Sequence, residues 1–204
     1  MLSYWFAVVR RLALPALGIG LLCAAAMAAV LVLADGAPWR EAAPQSLTAA
    51  AVVTLAFAAV LSTVNVVGAA RTARRYGLAL GAEAVALPCV REVRVPGTTD
   101  MTAFQLTDGV RYAVEKDPVL RLEEVTAFGH GKLELTVCGP SDTTVAVRVR
   151  ITTGPEETIA TVEARPTATY KRLDSAASWA VARVLERRVE ETLRAEVTGG
   201  GQPR

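Results

Sequence analysis

Histidine is almost absent from this sequence, and cysteine and aromatic residues are scarce. The chain has one histidine, His130, and three cysteines, Cys23, Cys89 and Cys138, with no C-x-x-C spacing. Zinc sites and disulfide frameworks need clustered or paired ligands, so the cysteines are interpreted as reduced, small hydrophobic residues. His130 lies between two glycines and is interpreted as a turn residue. We therefore expect no metal and no cofactor.

Patterns that carry catalysis or nucleotide binding are also missing. Gly129-His130-Gly131 lacks the spacing of a phosphate-binding loop. Glu123-Glu124 and Glu156-Glu157 are adjacent pairs, whose side chains on a strand point to opposite faces rather than forming an acid/base couple. Ser175 and Ser178 lie beside no plausible histidine base. We expect a protein that is not an enzyme and has no evident small-molecule substrate.

A strongly basic domain is lacking as well. Residues 1–75 carry six arginines and two acids, a net charge of +4, whereas residues 76–204 carry 16 basic and 18 acidic residues, a net charge of −2. Nucleic-acid binding needs a basic face that neutralises phosphates, so it is not expected. Arginine far exceeds lysine and alanine is abundant, which indicates a GC-rich bacterial genome.

Two long uncharged runs dominate the first third of the chain. Leu12–Ala34 has 23 residues without a charge, and Leu47–Ala70 has 24. About 20 helical residues cross a bilayer core of about 30 Å, so each run is long enough to span it. A signal peptide is the alternative for the first run, but its apolar stretch is too long and a second run follows directly. The sequence predicts a transmembrane hairpin over residues 1–75, with spans at about 12–34 and 47–70.

The arginine distribution predicts the orientation of the hairpin. Two arginines precede the first span, one lies in the connector 35–46, and three follow the second span: Arg10, Arg11, Arg40, Arg71, Arg74 and Arg75. The positive-inside rule places both termini in the cytoplasm of a bacterial cell, in a multi-pass plasma-membrane protein. Tyr4, Trp5 and Trp39 are expected to lie at the membrane interfaces.

Two features of the hairpin have alternative interpretations. Arg71, Arg74 and Arg75 are expected to contact anionic lipid headgroups, although as topology determinants they need no such contact. Asn65, the strongly polar side chain inside a span, is interpreted as capping the hairpin near the cytoplasmic interface. Alternatively, it could form a hydrogen bond across an oligomer.

The rest of the chain is predicted to be a juxtamembrane linker at 76–87, a cytoplasmic α+β domain at 88–198 and a disordered tail at 199–204. Residues 76–87 retain helical character and could prolong the second span up to Pro88. Val93 and Val95 indicate a strand that ends at Pro96-Gly97. Phe104 and Leu106 alternate briefly, ahead of a helix that Asp117-Pro118 ends.

An antiparallel sheet is predicted in the middle of the domain. Leu120–Phe128 reads as extended, Gly129–Gly131 as a turn, and Lys132–Cys138 and Val145–Ile151 as two alternating strands joined by a turn at 139–142. Their charged face carries Glu134, Arg148 and Arg150, and it should be solvated or covered by a partner.

The end of the chain holds one ambiguous segment and one clear one. Residues 155–165 fit a helix or a third strand, and their shortness favours a strand. Leu173–Val197 is predicted to be an amphipathic helix, because apolar residues recur every four positions: Val181, Leu185, Val189 and Leu193. We expect this long C-terminal helix to cover the sheet, the alternative being a two-helix dimer.

This order of features resembles the alkaline-shock membrane-anchor family of bacterial proteins. Members have two N-terminal spans, a short connector and a cytoplasmic domain related to the alkaline-shock envelope-stress proteins. The matching segments are Phe104–Asp108 as short strand and helix start, Val110–Lys116 as helix, and the strands Lys132–Val137 and Val145–Ile151. The family continues with a helix and a closing strand, whereas here Pro166 intervenes and the chain ends in a long helix.

These observations favour a non-enzymatic membrane anchor or scaffold that presents an α+β domain to a protein partner or to another copy of itself. The resemblance adds a connection with envelope stress. The alternative is an accessory subunit of a larger membrane complex, such as a secretion or conjugation machine, in which the spans do the binding. Membrane lipids are the other expected partner.

Overall fold

The computed structural model describes residues 1–34, 36–97, 101–139, 143–168 and 173–199. The chain divides into two compact units, Met1–Val67 and Gly68–Arg204. The turn expected at 139–142 and the tail expected at 199–204 lie mostly outside the described residues.

The first unit consists of one long apolar helix and most of a second, as the sequence predicts. Helix α1 covers Leu2–Ala34 and helix α2 begins at Trp39 and ends at Arg75, so both extend beyond the predicted spans and the connector is shorter than expected. Their most apolar windows have mean hydropathies of 2.6 and 2.2, so each helix is long and apolar enough to cross a membrane.

The two helices lie side by side and antiparallel within Met1–Val67. A Cβ added at Gly20 of α1 would collide with the side chain of Thr54 of α2, so glycine allows close approach there. The hydroxyl of Tyr4 donates a 2.7 Å hydrogen bond to the Oδ1 of Asn65. Tyr4 is therefore a buried contact between the helices.

Gly77 lies just after the end of α2 and terminates the helix. Its φ is +63°, its N–H donates to the carbonyl of Arg74, and the N–H of Leu78 donates to the carbonyl of Ala73. This pair of bonds is a Schellman cap, which needs a left-handed residue at the position glycine occupies. The expected helical prolongation up to Pro88 is therefore wrong. Residues 76–87 instead contain a short 3-10 helix, Ala82–Val85, that contacts the C-terminal helix.

Strand β1, Cys89–Pro96, and helix α3, Ala103–Glu115, follow. The Oγ1 of Thr102 accepts a bond from the N–H of Gln105, whose side chain accepts one from the N–H of Thr102. This capping box starts the helix before Phe104, so the brief strand expected at Phe104–Leu106 is wrong.

Five strands form one antiparallel sheet in the order β1-β5-β4-β3-β2. The later strands are β2 Arg121–Gly129, β3 Lys132–Cys138, β4 Thr144–Thr153 and β5 Glu157–Pro166. The ambiguous segment 155–165 is therefore mainly strand. This strand lies between β1 and β4 and is therefore a central strand of the sheet.

Helix α4, Ala177–Gly199, packs on the sheet mainly over β1 and β5 and also contacts α3. It begins four residues later than predicted. All four residues of its predicted apolar stripe are fully buried, which confirms that it completes the core of the domain: Val181, Leu185, Val189 and Leu193. Strand β5 buries Ala160, Val162 and Ala164, and the two alanines are small enough to let a helix approach closely.

Candidate interaction site

The exposed apolar side chains of the second unit are concentrated on one side. Among its described residues six large apolar side chains are exposed, and all but Val90 lie on α3, on β2 or in the loop between them. We call this surface the α3–β2 face, and its members are Phe104, Tyr112, Val119, Val125 and Phe128. Clustered exposure of this kind, unlike scattered exposure, is typical of a binding surface.

Helix α3 holds the aromatic part of the face because its two sides differ. Leu106, Val110 and Val114 are buried against the domain, which leaves Phe104 and Tyr112 on the outer side. The ring of Phe104 meets that of Phe128 of β2 edge-on, with 5.0 Å between centroids. The helix and the edge strand therefore share an aromatic surface formed by Phe104 and Phe128.

Cations flank these rings. The guanidinium of Arg111 lies 5.7 Å from the centroid of Phe128 and also bonds Asp108 at 2.9 Å. The Nζ of Lys116 lies 4.2 Å from the centroid of Tyr112. The imidazole of His130 is 5.5 Å from the ring of Phe104. His130 lies in a turn, as predicted, and it adds to the rim of the aromatic surface.

Strand β2 is also an edge of the sheet as described, because it pairs only with β3. Its register with β3 shifts twice, between Leu122 and Glu124 and between Val125 and Ala127. Along its first half runs an open groove of about 640 Å³, which Tyr76, Val119 and Glu124 help to line. Burial raises the pKa of the Tyr76 phenol. Unpaired backbone groups and a groove at the same edge can accept an extended segment.

Asp117 fixes the loop that joins α3 to β2. Its side chain is fully buried and accepts hydrogen bonds from the N–H groups of Val119 and Leu120 and from the Nε of Arg188 on α4, the last at 2.7 Å. Burial alone would raise the pKa of Asp117, but the hydrogen bonds from Arg188 and the two backbone groups lower it. The loop is therefore tied to the core helix.

The sheet surface remote from the helices carries charge rather than apolar side chains. Arg148 lies directly across from Glu134 and Glu163, at 2.8 and 3.9 Å, and Glu134 also bonds Lys132. Hydrogen bonds from Lys132 and Arg148 lower the pKa of Glu134. Arg150 is exposed and lies across from Lys132. Cross-strand pairs account for this face, which the sequence predicted as solvated or covered.

The other residues singled out in the sequence do not gather into a site. Arg71, Arg74 and Arg75 are exposed at the end of α2 and form no ion pair with a described acid. Glu123 bonds Arg121 at 3.7 Å, and Ser175 lies in the turn before α4. In the described parts of the chain, no group of three His, Cys, Asp or Glu side chains could hold a metal.

Neither a family model nor a curated protein matches the chain. Among solved structures, the crystal structure of Ara h 8.0201 is similar with 11% identity and a TM-score of 0.28, over 52% of this chain and 99% of that one. The ZhuI aromatase/cyclase from Streptomyces sp. R1128 is similar with 14% identity and a TM-score of 0.27, over 55% and 99%. Scores this low carry no argument about fold or function.

Proposed function

We propose that this chain is a non-enzymatic membrane anchor that presents its α+β domain to a cytoplasmic protein, which binds the α3–β2 face. The observation that carries the proposal is the concentration of exposed apolar side chains on that face, next to an unpaired strand edge. Aromatic residues and arginine are the side chains that most often dominate protein interfaces.

Membrane insertion is part of the proposal. The helices α1 and α2 expose large apolar residues along their length, such as Leu14, Leu22 and Leu55. Exposure of these side chains is unfavourable in water and favourable in the hydrocarbon core of a bilayer. The resemblance in layout to the alkaline-shock membrane anchors agrees with this role and points to envelope stress as its setting.

Two valines give a matched test of the binding face. Val125 lies on the α3–β2 face and Val90 on β1, and both are exposed. The full chain is purified from cells in mild detergent after chemical cross-linking, and attached proteins are identified. We expect Val125→Asp to lose a partner that Val90→Asp retains. Equal retention by both variants would contradict the proposed face.

The rival function is an accessory subunit held in a larger complex by its helices. Replacing residues 1–67 with an unrelated two-span anchor separates the two functions. A scaffold keeps its partner after this replacement. An accessory subunit loses its partner, and in that case Val125→Asp does not change partner binding.

The proposed topology has both termini in the cytoplasm. In a variant without the native cysteines, a cysteine placed at Glu41 should react with a membrane-impermeant thiol reagent on intact cells, and one at Thr152 should not. Both positions are exposed, so accessibility within the protein is matched. Labelling at Thr152 alone would place the domain outside the cell.

We also propose that Arg71, Arg74 and Arg75 contact anionic lipid headgroups. Each exposed arginine at a negative membrane surface contributes about 1 kcal/mol. Replacing all three with glutamine should reduce the anionic lipid that remains bound in native mass spectrometry. Arg187→Gln, an exposed change on α4, is the control.

A further inference from the structure

The turn that leads into α4 has an unusual backbone. Ser175 and Ala176 are consecutive and have φ values of +52° and +62°, in the left-handed region. L-residues with a Cβ rarely adopt this conformation, and two in succession persist only when surrounding contacts hold them. The contacts that hold this turn therefore control how α4 begins.

The end of α2 supplies one of these contacts. A Cβ added at Gly68 would lie 2.7 Å from the Oγ and 3.0 Å from the Cβ of Ser175, so the helix and the turn touch without space between them. The following positions on the same side of α2, Ala69 and Thr72, are buried as well. Residues 68–75 belong to the second unit, so this packing is internal to the domain.

The turn passes directly into the first turn of α4. The carboxylate of Asp174 accepts a 2.8 Å hydrogen bond from the N–H of Ser178, and the N–H of Ala180 donates to the carbonyl of Ala176. The next residue, Trp179, is fully buried, and among the described residues its indole Nε1 has no hydrogen-bond partner. Leu78, just after α2, lines a groove with Trp179. The burial of Trp179 therefore reports whether this region is closed.

We infer that Gly68 and the turn Ser175–Ala176 form a latch, in which the end of α2 holds the turn in its left-handed conformation and thereby fixes the first turn of α4. When the end of α2 shifts or rotates, the turn relaxes and Trp179 becomes exposed. The latch is a conformational device of the domain itself, and it holds whether or not the domain recruits a partner.

The contact between Gly68 and Ser175 can be tested by a substitution that should destabilise the turn if the contact matters and stabilise the helix if it does not. Gly68→Ala adds a Cβ against Ser175, although glycine to alanine inside a helix otherwise stabilises. Gly18→Ala in α1 is the matched control, because a Cβ there meets no atom of the described residues within 4 Å. Ser175→Gly removes the opposing side chain and also suits a positive φ.

The test uses the full chain in detergent with Trp5 and Trp39 replaced by phenylalanine, so that Trp179 is the single tryptophan. We expect Gly68→Ala to shift Trp179 emission to longer wavelength and to reduce amide-exchange protection at Ser178 and Trp179 about tenfold. Adding Ser175→Gly should restore both signals. Gly18→Ala should change neither.

Two results would overturn the latch. One is a Gly68→Ala variant whose emission and protection match those of Gly18→Ala. The other is a double variant whose effects are the sum of the two single changes, since residues in direct contact must show coupling. Ser175→Ala is a further control. It removes only the Oγ and keeps both the Cβ and the strained backbone. Combined with Gly68→Ala, it should therefore restore the emission and the protection only in part.

Discussion

The two units of this chain place their apolar residues in opposite ways. Among the described residues, 22 large apolar side chains are exposed in Met1–Val67 and only six in Gly68–Arg204. In the first unit the residues buried between the helices are mostly small or polar, such as Ala24, Ala28 and Ser62. In the second unit the buried residues also include many valines and leucines and Trp179.

This difference teaches how each unit's exposure should be interpreted. Along α1 and α2 most large apolar side chains are exposed, so their exposure indicates that the helices need an apolar environment. In the second unit exposed apolar side chains are few, so their concentration on the α3–β2 face indicates a binding surface. The same kind of side chain therefore supports a membrane proposal in one unit and a binding-surface proposal in the other.

The largest expected effect tests where the second unit begins. This unit includes Ala69, Thr72 and Ala73 at the end of α2 and Ala84 and Val85 of the 3-10 helix, all of which are buried. Their roughly eight side-chain carbons, at about 0.8 kcal/mol each, contribute about 4–6 kcal/mol. A fragment starting at Gly68 should therefore melt cooperatively at a much higher temperature than one starting at Pro88. Equal melting temperatures would place the boundary of the folding unit at Pro88.

The same substitution in both units sharpens the contrast. Leu185 of α4 is fully buried and Leu14 of α1 is 80% exposed. Leu185→Ala should cost about 2–5 kcal/mol of the free energy of unfolding, because it removes buried methyl groups and leaves a cavity. Leu14→Ala should leave the unfolding of the domain unchanged. Trp179 fluorescence measures both during denaturation of the full chain with Trp5 and Trp39 replaced by phenylalanine.

An unchanged melt in Leu185→Ala, with weaker association between copies, would mean that α4 is a dimerisation arm. That is the alternative which the burial of its stripe opposes.

Several elements were predictable because their patterns are local. Strands β3 and β4 alternate strictly and α4 repeats every four residues, so the sequence predicted all three. The start of α3 was also encoded: Thr102 and Gln105 have the spacing of a capping box, but the brief alternation of Phe104 and Leu106 favoured a strand instead.

Other features depend on contacts far apart in the sequence. Strand β5 buries Thr158, Ala160, Val162 and Ala164 on one side, and the larger Ile159 lies on the other. The two alanines suit the approach of α4. No local pattern contains that information. The α3–β2 face likewise arises from residues up to 24 positions apart, which the sheet order brings to one edge.

Asp117 gives a smaller and pH-dependent effect. Because its folded pKa is lowered, its contribution to stability is present above its unfolded pKa of about 3.9 and is lost as the pH falls through the folded value. Asp117→Asn should therefore lower stability by about 1–3 kcal/mol at pH 7 and by much less below about pH 3. Asp108→Asn, an exposed carboxylate paired with Arg111, is the control. A pH-independent difference would contradict the role of the Asp117 charge.

The smallest effect concerns the hydrogen bond between Tyr4 and Asn65 in the first unit. In water such a bond replaces bonds to solvent, and in lipid the separated groups find other partners, so measured values inside membranes average only about 0.6 kcal/mol. Peptides covering Leu2–Ala34 and Trp39–Arg75 can be mixed in micelles and their association followed by energy transfer. A double-mutant cycle with Tyr4→Phe and Asn65→Leu should give a coupling of about 0.6 kcal/mol. Gly20→Leu should weaken association far more, because close packing at Thr54 rather than this bond joins the helices. If the Tyr4–Asn65 coupling exceeds the effect of Gly20→Leu, polar contact dominates the hairpin, and the first unit resembles the second more than its exposed surface indicates.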